Sequence, residues 1–336
     1  MNKRIYIAYT GGTIGMKASE HGYIPVRDHL TQSIKAMPDF HREEMPEFTI
    51  NEYDPLIDSS NMAPADWQRI ADDIKAHYDD YDGFVVLHGT DTMAYTSSAL
   101  SFMFENLNKP VIVTGSQIPL TQLRSDGQVN LLNSLYIAAN YPINEVGLYF
   151  NNKLYRGNRC IKAYADGFNA FDSPNMPPLL EAGINIKLIA GKITDLSQTK
   201  PLKLTNITPQ PIGVAHLYPG ISSQLINNII QQPVKALIMR SYGVGNAPQN
   251  NDLLASLQAA QQQQIIVVNC SQCIRGKVNM QGYATGSWLS QAGVIGGLDM
   301  TLEATLAKLH YLLSQNLSYD ETKVLMQKNL RGELSH

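Results

Sequence analysis

Residues 5–16 read IYIAYTGGTIGM, a short run of β-branched and aromatic residues that opens almost at the N-terminus and runs into two glycines, a threonine and a third glycine. The pattern predicts a strand ending in a tight turn. Gly11 and Gly12 permit backbone angles closed to other residues and bare their peptide N–H groups, while Thr13 presents a hydroxyl beside them. Donors next to a hydroxyl suit acyl transfer, in which one group attacks a carbonyl and the other steadies the oxyanion. A purely structural turn fits the same residues. Phosphate-loop chemistry does not, because the closing Gly-Lys-Ser/Thr is missing. The dinucleotide fingerprint fails as well: the glycines read GGxxG rather than GxGxxG, and the following MKASEHGYIPV carries turn residues instead of an opening helix.

Around that turn lies a chain of 336 residues, longer than one core usually holds, with 44% hydrophobic and 16% charged residues. The net charge of −3 and the lack of a Lys/Arg block leave no electrostatic footprint for nucleic acid or an anionic membrane. The apolar run at the N-terminus is too short for a signal-peptide core, and no later stretch approaches the ~18 apolar residues of a membrane span. A cytoplasmic protein acting on a small molecule is therefore expected. Cys160, Cys270 and Cys273 are an odd number in a long chain, which argues against a disulfide framework. The last two form a CxxC without the further ligands of a metal site, so ordinary thiols at a strand end are the expectation.

Taken in order, the chain repeats the opening pattern. Tyr23, in HGYIP, is either a surface tyrosine or a lid over the first strand's end. A strand at Phe48–Tyr53 leads to DPLIDSSNM, where Ser59 and Ser60 crowd small polar groups at its exit. A helix follows, with Trp67, Ile70, Ala71, Ile74 and Tyr78 at core spacing. Residues 83–88, GFVVLH, form the continuous apolar run of a strand buried on both faces, and HGTDTM directly behind it places Gly89, Thr90 and Asp91 as the first turn placed Gly12 and Thr13. After a helix from Thr92 to about Asn106, PVIVTGSQIP repeats the theme. Buried strands separated by helices predict an open α/β sheet, whose ligands bind outside the carboxyl ends of the strands, so these turns should converge. A second helix, Gln128–Asn140, is followed by a hairpin at Asn151–Asn152. Lys162 is a solvated charge or, if it lies near Asp91, the base or proton shuttle that a threonine hydroxyl needs. From Asp172 the chain turns irregular, apart from a strand-like INIKLIAGKI. Residues 1–190 are read as the larger domain, 191–213 as a linker and 214–336 as a smaller α/β domain. Its strands are expected at 212–217, 235–240 and 265–269 and its helices from Ser222, Asn250 and Thr301. On the last helix Leu302, Leu306, Leu309 and Leu313 form the expected core stripe.

TGGTIG at 10–15 together with HGTDTM at 88–93 resembles the pair of threonine signatures of the bacterial-type L-asparaginases. DSSNM at 58–62, TGSQIPL at 114–120, RGNRCIKA at 156–163 and SYGVGNAPQN at 241–250 extend the resemblance to the cytoplasmic, type I branch over essentially the whole chain. It implies two α/β domains, the larger with a flavodoxin-like mixed sheet and the smaller with a parallel sheet. A homotetramer built from intimate dimers, no cofactor or metal, and hydrolysis of L-asparagine to L-aspartate and ammonia through a β-acyl-enzyme follow from the same likeness. Residue by residue, Thr13 matches the nucleophile and Tyr23 the lid tyrosine that hydrogen-bonds it. Thr90, Asp91 and Lys162 match the second constellation. Ser59 and Ser60 fall where the substrate α-carboxylate is held, and Asp91 where its α-ammonium is received. Thr13 and Thr90 both have the type and position of an attacking hydroxyl; Thr13 is taken as the nucleophile. A second, activating asparagine site is implied at Arg240 and Cys273, although Ile161 stands where members with that site can carry a threonine. Two other classes fit parts of the pattern: a non-catalytic amino-acid-binding module, and the amidohydrolase subunit of a tRNA-dependent amidotransferase, for which an added N-terminal domain and a partner chain would be expected.

Overall fold

The structure is a computed structural model and describes residues 3–20, 22–192, 200–280 and 284–335, with only the backbone of 284–286. The end of the INIKLIAGKI stretch and linker residues 193–199 lie outside the described residues. The chain divides into two compact units, with the boundary between Thr205 and Asn206.

In the first unit an eight-stranded mixed sheet has the spatial order Ile186–Leu188, Leu180–Ala182, Lys153–Arg156, Val146–Phe150, Val111–Thr114, Gly83–Leu87, Arg4–Tyr9, Glu47–Glu52. The last five are parallel, and the three added at the other edge are antiparallel. Gly83–Leu87 is buried along its whole length, as its unbroken apolar run requires when helices cover both faces. The chain leaves Arg4–Tyr9 for one neighbour, Glu47–Glu52, and then passes through the helix Pro64–Ala76 to the other, Gly83–Leu87. The order of strands therefore reverses at Arg4–Tyr9, and the crevice beyond its carboxyl end is the ligand position of such sheets.

Local chemistry explains several boundaries. Pro64 opens its helix at the first position, where no N–H is needed, and the Asp66 carboxylate accepts the Ala63 N–H at 2.8 Å. Asn151 and Asn152 carry φ of 47° and 64°, the left-handed pair that a two-residue hairpin turn demands, and Phe150 pairs with Lys153 across it. The helix expected to reach Asn106 stops at Met103, because Phe104–Glu105 becomes a short strand that pairs antiparallel with Lys203–Leu204. Among its described residues, INIKLIAGKI likewise yields only Ile186–Leu188 as strand.

The second unit has a four-stranded parallel sheet, ordered Ile212–His216, Ala236–Ser241, Ile266–Ser271, Ile295–Gly296. Ser222, Asn250 and Thr301 each cap a helix, the side-chain oxygen accepting from the N–H of Gln224, Leu253 and Ala304. The leucine stripe of the last of these helices, Leu302–Leu313, is a correction: Leu302, Leu306 and Leu313 are half-buried, and of the four only Leu309 is core. The face that packs inward includes Lys308, fully buried. Its ammonium donates to Glu333 Oε1 at 2.5 Å and to the carbonyls of Met326 and Lys328 at 3.0 and 2.6 Å. A charge is tolerated there because it is paired and its donors are occupied.

Candidate active site

Two turns meet at the switch point. Gly11 and Gly12 have φ of 140° and 90°, and a Cβ on Gly12 would run into the backbone of His88 and Gly89. The chain after Arg4–Tyr9 and the chain after Gly83–Leu87 thus touch main chain to main chain, which only glycine allows. Further bonds secure the approach: Thr10 Oγ1 donates to the Leu87 carbonyl at 2.8 Å, and Ile57 N–H donates to the Thr10 carbonyl at 2.7 Å. Ser59 packs against Gly89, and the Thr92 hydroxyl donates to the Ser59 carbonyl at 2.7 Å. Ser59 is buried, whereas Ser60 is exposed and donates its N–H to Asp58 Oδ1 at 3.0 Å.

Behind the second turn stands His88, wholly buried. Its Nδ1–H donates to the Gly89 carbonyl at 2.7 Å, and Nε2 accepts from the Thr96 hydroxyl at 2.8 Å. Burial outweighs the carbonyl contact and lowers its pKa to about 4, so the ring is neutral at physiological pH and its tautomer is set by its two partners.

Thr90 is the most constrained hydroxyl of the group. Lys162 Nζ donates to Thr90 Oγ1 at 2.9 Å and to Asp91 Oδ1 at 2.6 Å. The Thr90 hydroxyl in turn donates to Gln117 Oε1 at 3.0 Å. The amide of Gln117 cannot turn round without loss, because its Nε2 donates to the carbonyls of Ala165 and Gly167 at 3.2 and 3.1 Å. Its backbone N–H is received by the Asp126 carboxylate, as is that of Ile118. Asp126 holds this third turn together; burial raises its pKa in spite of those bonds. The direction of the Thr90 proton therefore follows from two backbone carbonyls some residues beyond Lys162, and its lone pair is left facing the ammonium. Gln117 was not singled out in the sequence, where it is one polar residue in TGSQIPL. The only available signal was its place at the exit of a third buried strand.

Thr13 begins a single 3-10 turn, Thr13–Gly15, is half-buried, and its hydroxyl makes no hydrogen bond among the described residues. Tyr23 lies on the hairpin strand Gly22–Pro25, which packs against that turn. The strand is exposed along its whole length, Tyr23 is 49% exposed, and no bond joins it to Thr13. The hydrogen bond expected of a lid tyrosine is thus not formed, because the hairpin stands open to solvent.

The structure therefore brings the turns carrying Thr13, Ser59, Thr90 and Asp91, with Lys162, together at the carboxyl ends of the first unit's parallel strands, and packs the exposed Tyr23 hairpin against the Thr13 turn. Arg240 and Cys273 belong to the second unit. Arg240 pairs in register with Cys270 across neighbouring strands, and its Nε is buried without a hydrogen bond among the described residues. Cys273 is exposed and Cys270 buried, both as free thiols; burial pushes Cys270 up to about 11. Glu303, whose pKa burial raises to about 7, also feels the Arg240 charge. Among the described residues no cluster of His, Cys, Asp and Glu could hold a metal ion, and no helix is long and apolar enough to cross a membrane.

Comparison with known proteins places this crevice in context. The family model for the N-terminal asparaginase domain matches residues 4–193, and that for the glutaminase/asparaginase C-terminal domain matches residues 211–326. The chain is 67% identical over 333 residues to L-asparaginase 1 of Escherichia coli K12, covering 99% of this chain and 98% of that one. The crystal structure of L-asparaginase I from Vibrio cholerae superposes with a TM-score of 0.94 at 65% identity, over 100% of both chains. A more distant relative, the L-asparaginase of Thermococcus kodakarensis, is 32% identical over 336 residues, spanning 99% of each chain. Full-length identity to one kind of enzyme, and a crevice in which two threonine turns interlock at the switch point, lead to the same conclusion: this chain belongs to the asparaginase family.

Proposed function

We propose that the chain is an L-asparaginase that hydrolyses L-asparagine to L-aspartate and ammonia, with Thr13 as the attacking hydroxyl. The observation that carries the reading is the contact of Lys162 with both Thr90 and Asp91, beside the interlocked glycines that carry Thr13. A side-chain amide is a poor electrophile with a poor leaving group, so the site must supply an activated hydroxyl, an oxyanion site and a proton for departing ammonia. Thr13 Oγ1 forms a bond to the amide carbon, the C–N bond breaks, and nitrogen leaves as ammonia with the proton delivered to it. Water then opens the β-acyl-enzyme and restores the Thr13 hydroxyl. Thr90, Lys162 and Asp91 handle protons and orient water or the leaving group, Ser59 and Ser60 receive the α-carboxylate, and Asp91 receives the α-ammonium. Tyr23 closes over Thr13 as the hairpin folds down. None of these steps calls for a metal or cofactor.

The same reading proposes a cytoplasmic homotetramer, and a second asparagine site at Arg240 and Cys273 that activates the first. The buried Nε of Arg240, which has no hydrogen-bond partner among the described residues, supports that second site, since a carboxylate would satisfy it. Purified chain incubated with L-asparagine should release equimolar ammonia and L-aspartate without any partner chain or tRNA. Binding without release would leave an amino-acid-binding module. Activity only with a partner would leave an amidotransferase component. Sedimentation of the active species tests the tetramer, and a sigmoidal rate curve that becomes hyperbolic in Arg240→Ala tests the second site.

A further inference from the structure

Tyr9, the last residue of the first strand, is wholly buried in the core under the turn that carries Thr13. A Cβ on Gly15 would collide with the Tyr9 hydroxyl and ring, so the turn Thr13–Gly15 rests directly on that side chain, and glycine at 15 is what lets it descend so far. The turn keeps few backbone ties beyond the Met16 N–H that donates to the Thr13 carbonyl. Leu120 N–H donates to the Ile14 carbonyl at 2.9 Å, and Gly15 N–H reaches the Gly12 carbonyl only at 3.4 Å. The Tyr9 hydroxyl itself has no hydrogen-bond partner among the described residues, although a phenol taken out of water ordinarily finds one.

These observations bear on how Thr13 acts. In the position described, none of the described residues accepts the Thr13 proton, yet a nucleophilic hydroxyl must come within hydrogen-bond reach of a base, and such contacts often tighten only with substrate in place. A shift of the turn, together with closure of the Tyr23 hairpin, would bring it there. The polar atom beneath it, unpaired now, is the one against which it would move.

We propose that Tyr9 is a positioning residue for Thr13: its ring is the floor of the nucleophile's turn, and its hydroxyl pairs with the backbone of residues 13–16 when the turn moves onto the substrate. The proposal rests on Thr13 being the nucleophile. It assigns Tyr9 no contact with asparagine; its effect passes through the placement of the Thr13 oxygen.

Tyr9→Phe keeps the ring and removes one unpaired oxygen, so the fold is retained and Tm is unchanged or raised. A misplacement of ~1 Å can cost ~100-fold in rate, and loss of the hydroxyl alone is expected to lower kcat by roughly 10-fold with KM within about twofold. A merely structural tyrosine would leave kcat and KM as in the parent, whatever the change in Tm. Gly15→Ala tests the floor: the added methyl meets the Tyr9 ring and lifts the turn, so kcat should fall further than in Tyr9→Phe. Unchanged kcat in Tyr9→Phe, or a Gly15→Ala variant as active as the parent, overturns the proposal. Thr13→Ala measured alongside separates the two levels. If it stays active, the nucleophile is misassigned. If it is dead while Tyr9→Phe matches the parent, only the role of Tyr9 is wrong.

Discussion

Thr13 and Thr90 follow two neighbouring strands with the same glycine-threonine chemistry, and their surroundings are opposite. Thr90 is buried, accepts from Lys162, donates to Gln117 and stands on a turn pinned by His88. Thr13 is half-buried, free of side-chain bonds among the described residues, and sits on one turn of 3-10 helix. A hydroxyl whose proton is already committed is suited to orienting other groups. One that is uncommitted can travel and form a covalent bond. The difference supports the division of labour proposed above, and each part of it can be attacked.

The largest effect is expected from Thr13→Ala, which removes the bond-forming atom while leaving the wired half intact. Asparagine hydrolysis should fall by roughly three or more orders of magnitude with an unchanged Tm, since only binding and oxyanion stabilisation remain. Retention of more than about a tenth of kcat would reverse the roles of the two threonines. Next come Lys162→Met and Asp91→Asn. If they form one unit with Thr90, each should cost nearly as much kcat as the pair of substitutions together, because members of a unit are not additive. Additive losses would detach Asp91 from proton handling and leave it as an ammonium ligand.

Substrate length probes the clamp around Thr13. Glutamine shares the head group but adds a methylene, so a head fixed by Ser59, Ser60 and Asp91 should carry its amide past the nucleophile, lowering kcat/KM by at least ~100-fold, largely in kcat. Comparable initial rates of ammonia release from both amides would mean a loose clamp. Gln117→Leu should cost less, about 10-fold in kcat, by freeing the Thr90 proton to rotate while Lys162 and Asp91 stay paired. An unchanged rate would show that the orientation of Thr90 is immaterial.

The smallest effect expected is on stability. His88 has a pKa of about 4 in the fold against an ordinary 6.5, so between those values the unfolded chain binds more protons. Its contribution is then fully present above pH 6.5 and is lost as the pH falls through 4. Replacing His88 with Asn should flatten the acid limb of Tm against pH over this window. The Thr13–Gly15 turn carries no titratable group, and Thr13→Ala should leave the limb as it is.

What the sequence made legible were features whose cause is local. The two glycine turns, the Asn151–Asn152 hairpin and the caps at Ser222, Asn250 and Thr301 follow from the backbone angles and short-range bonds of the residues that form them. Features with distant causes were hidden. Phe104–Glu105 is a strand because Lys203–Leu204 lies beside it, and helical periodicity gave no warning. Lys308 enters the core because Glu333, 25 residues on, pairs with it, so a stripe drawn from leucines alone misjudged which face packs inward. Asp73 accepts from the Tyr6 and Tyr53 hydroxyls at 2.8 Å each, linking its helix to one strand and to the exit of a second, yet reads as one more acid on a polar face. Gln117 was missed for the same reason: its function is defined by carbonyls 48 and 50 positions away.

The interlock of Gly12 with Gly89 has a consequence for how the molecule comes into being. The crevice has no contiguous precursor: Lys162 lies 72 residues from the threonine it touches, and the two turns meet only once parallel strands have paired. Parallel pairing closes long loops before it is rewarded, which makes it slow and late. Catalytic competence should therefore be the last property to return on refolding, trailing the recovery of helical signal. A nascent chain stopped before residue 162 has both threonines and lacks the lysine that contacts Thr90.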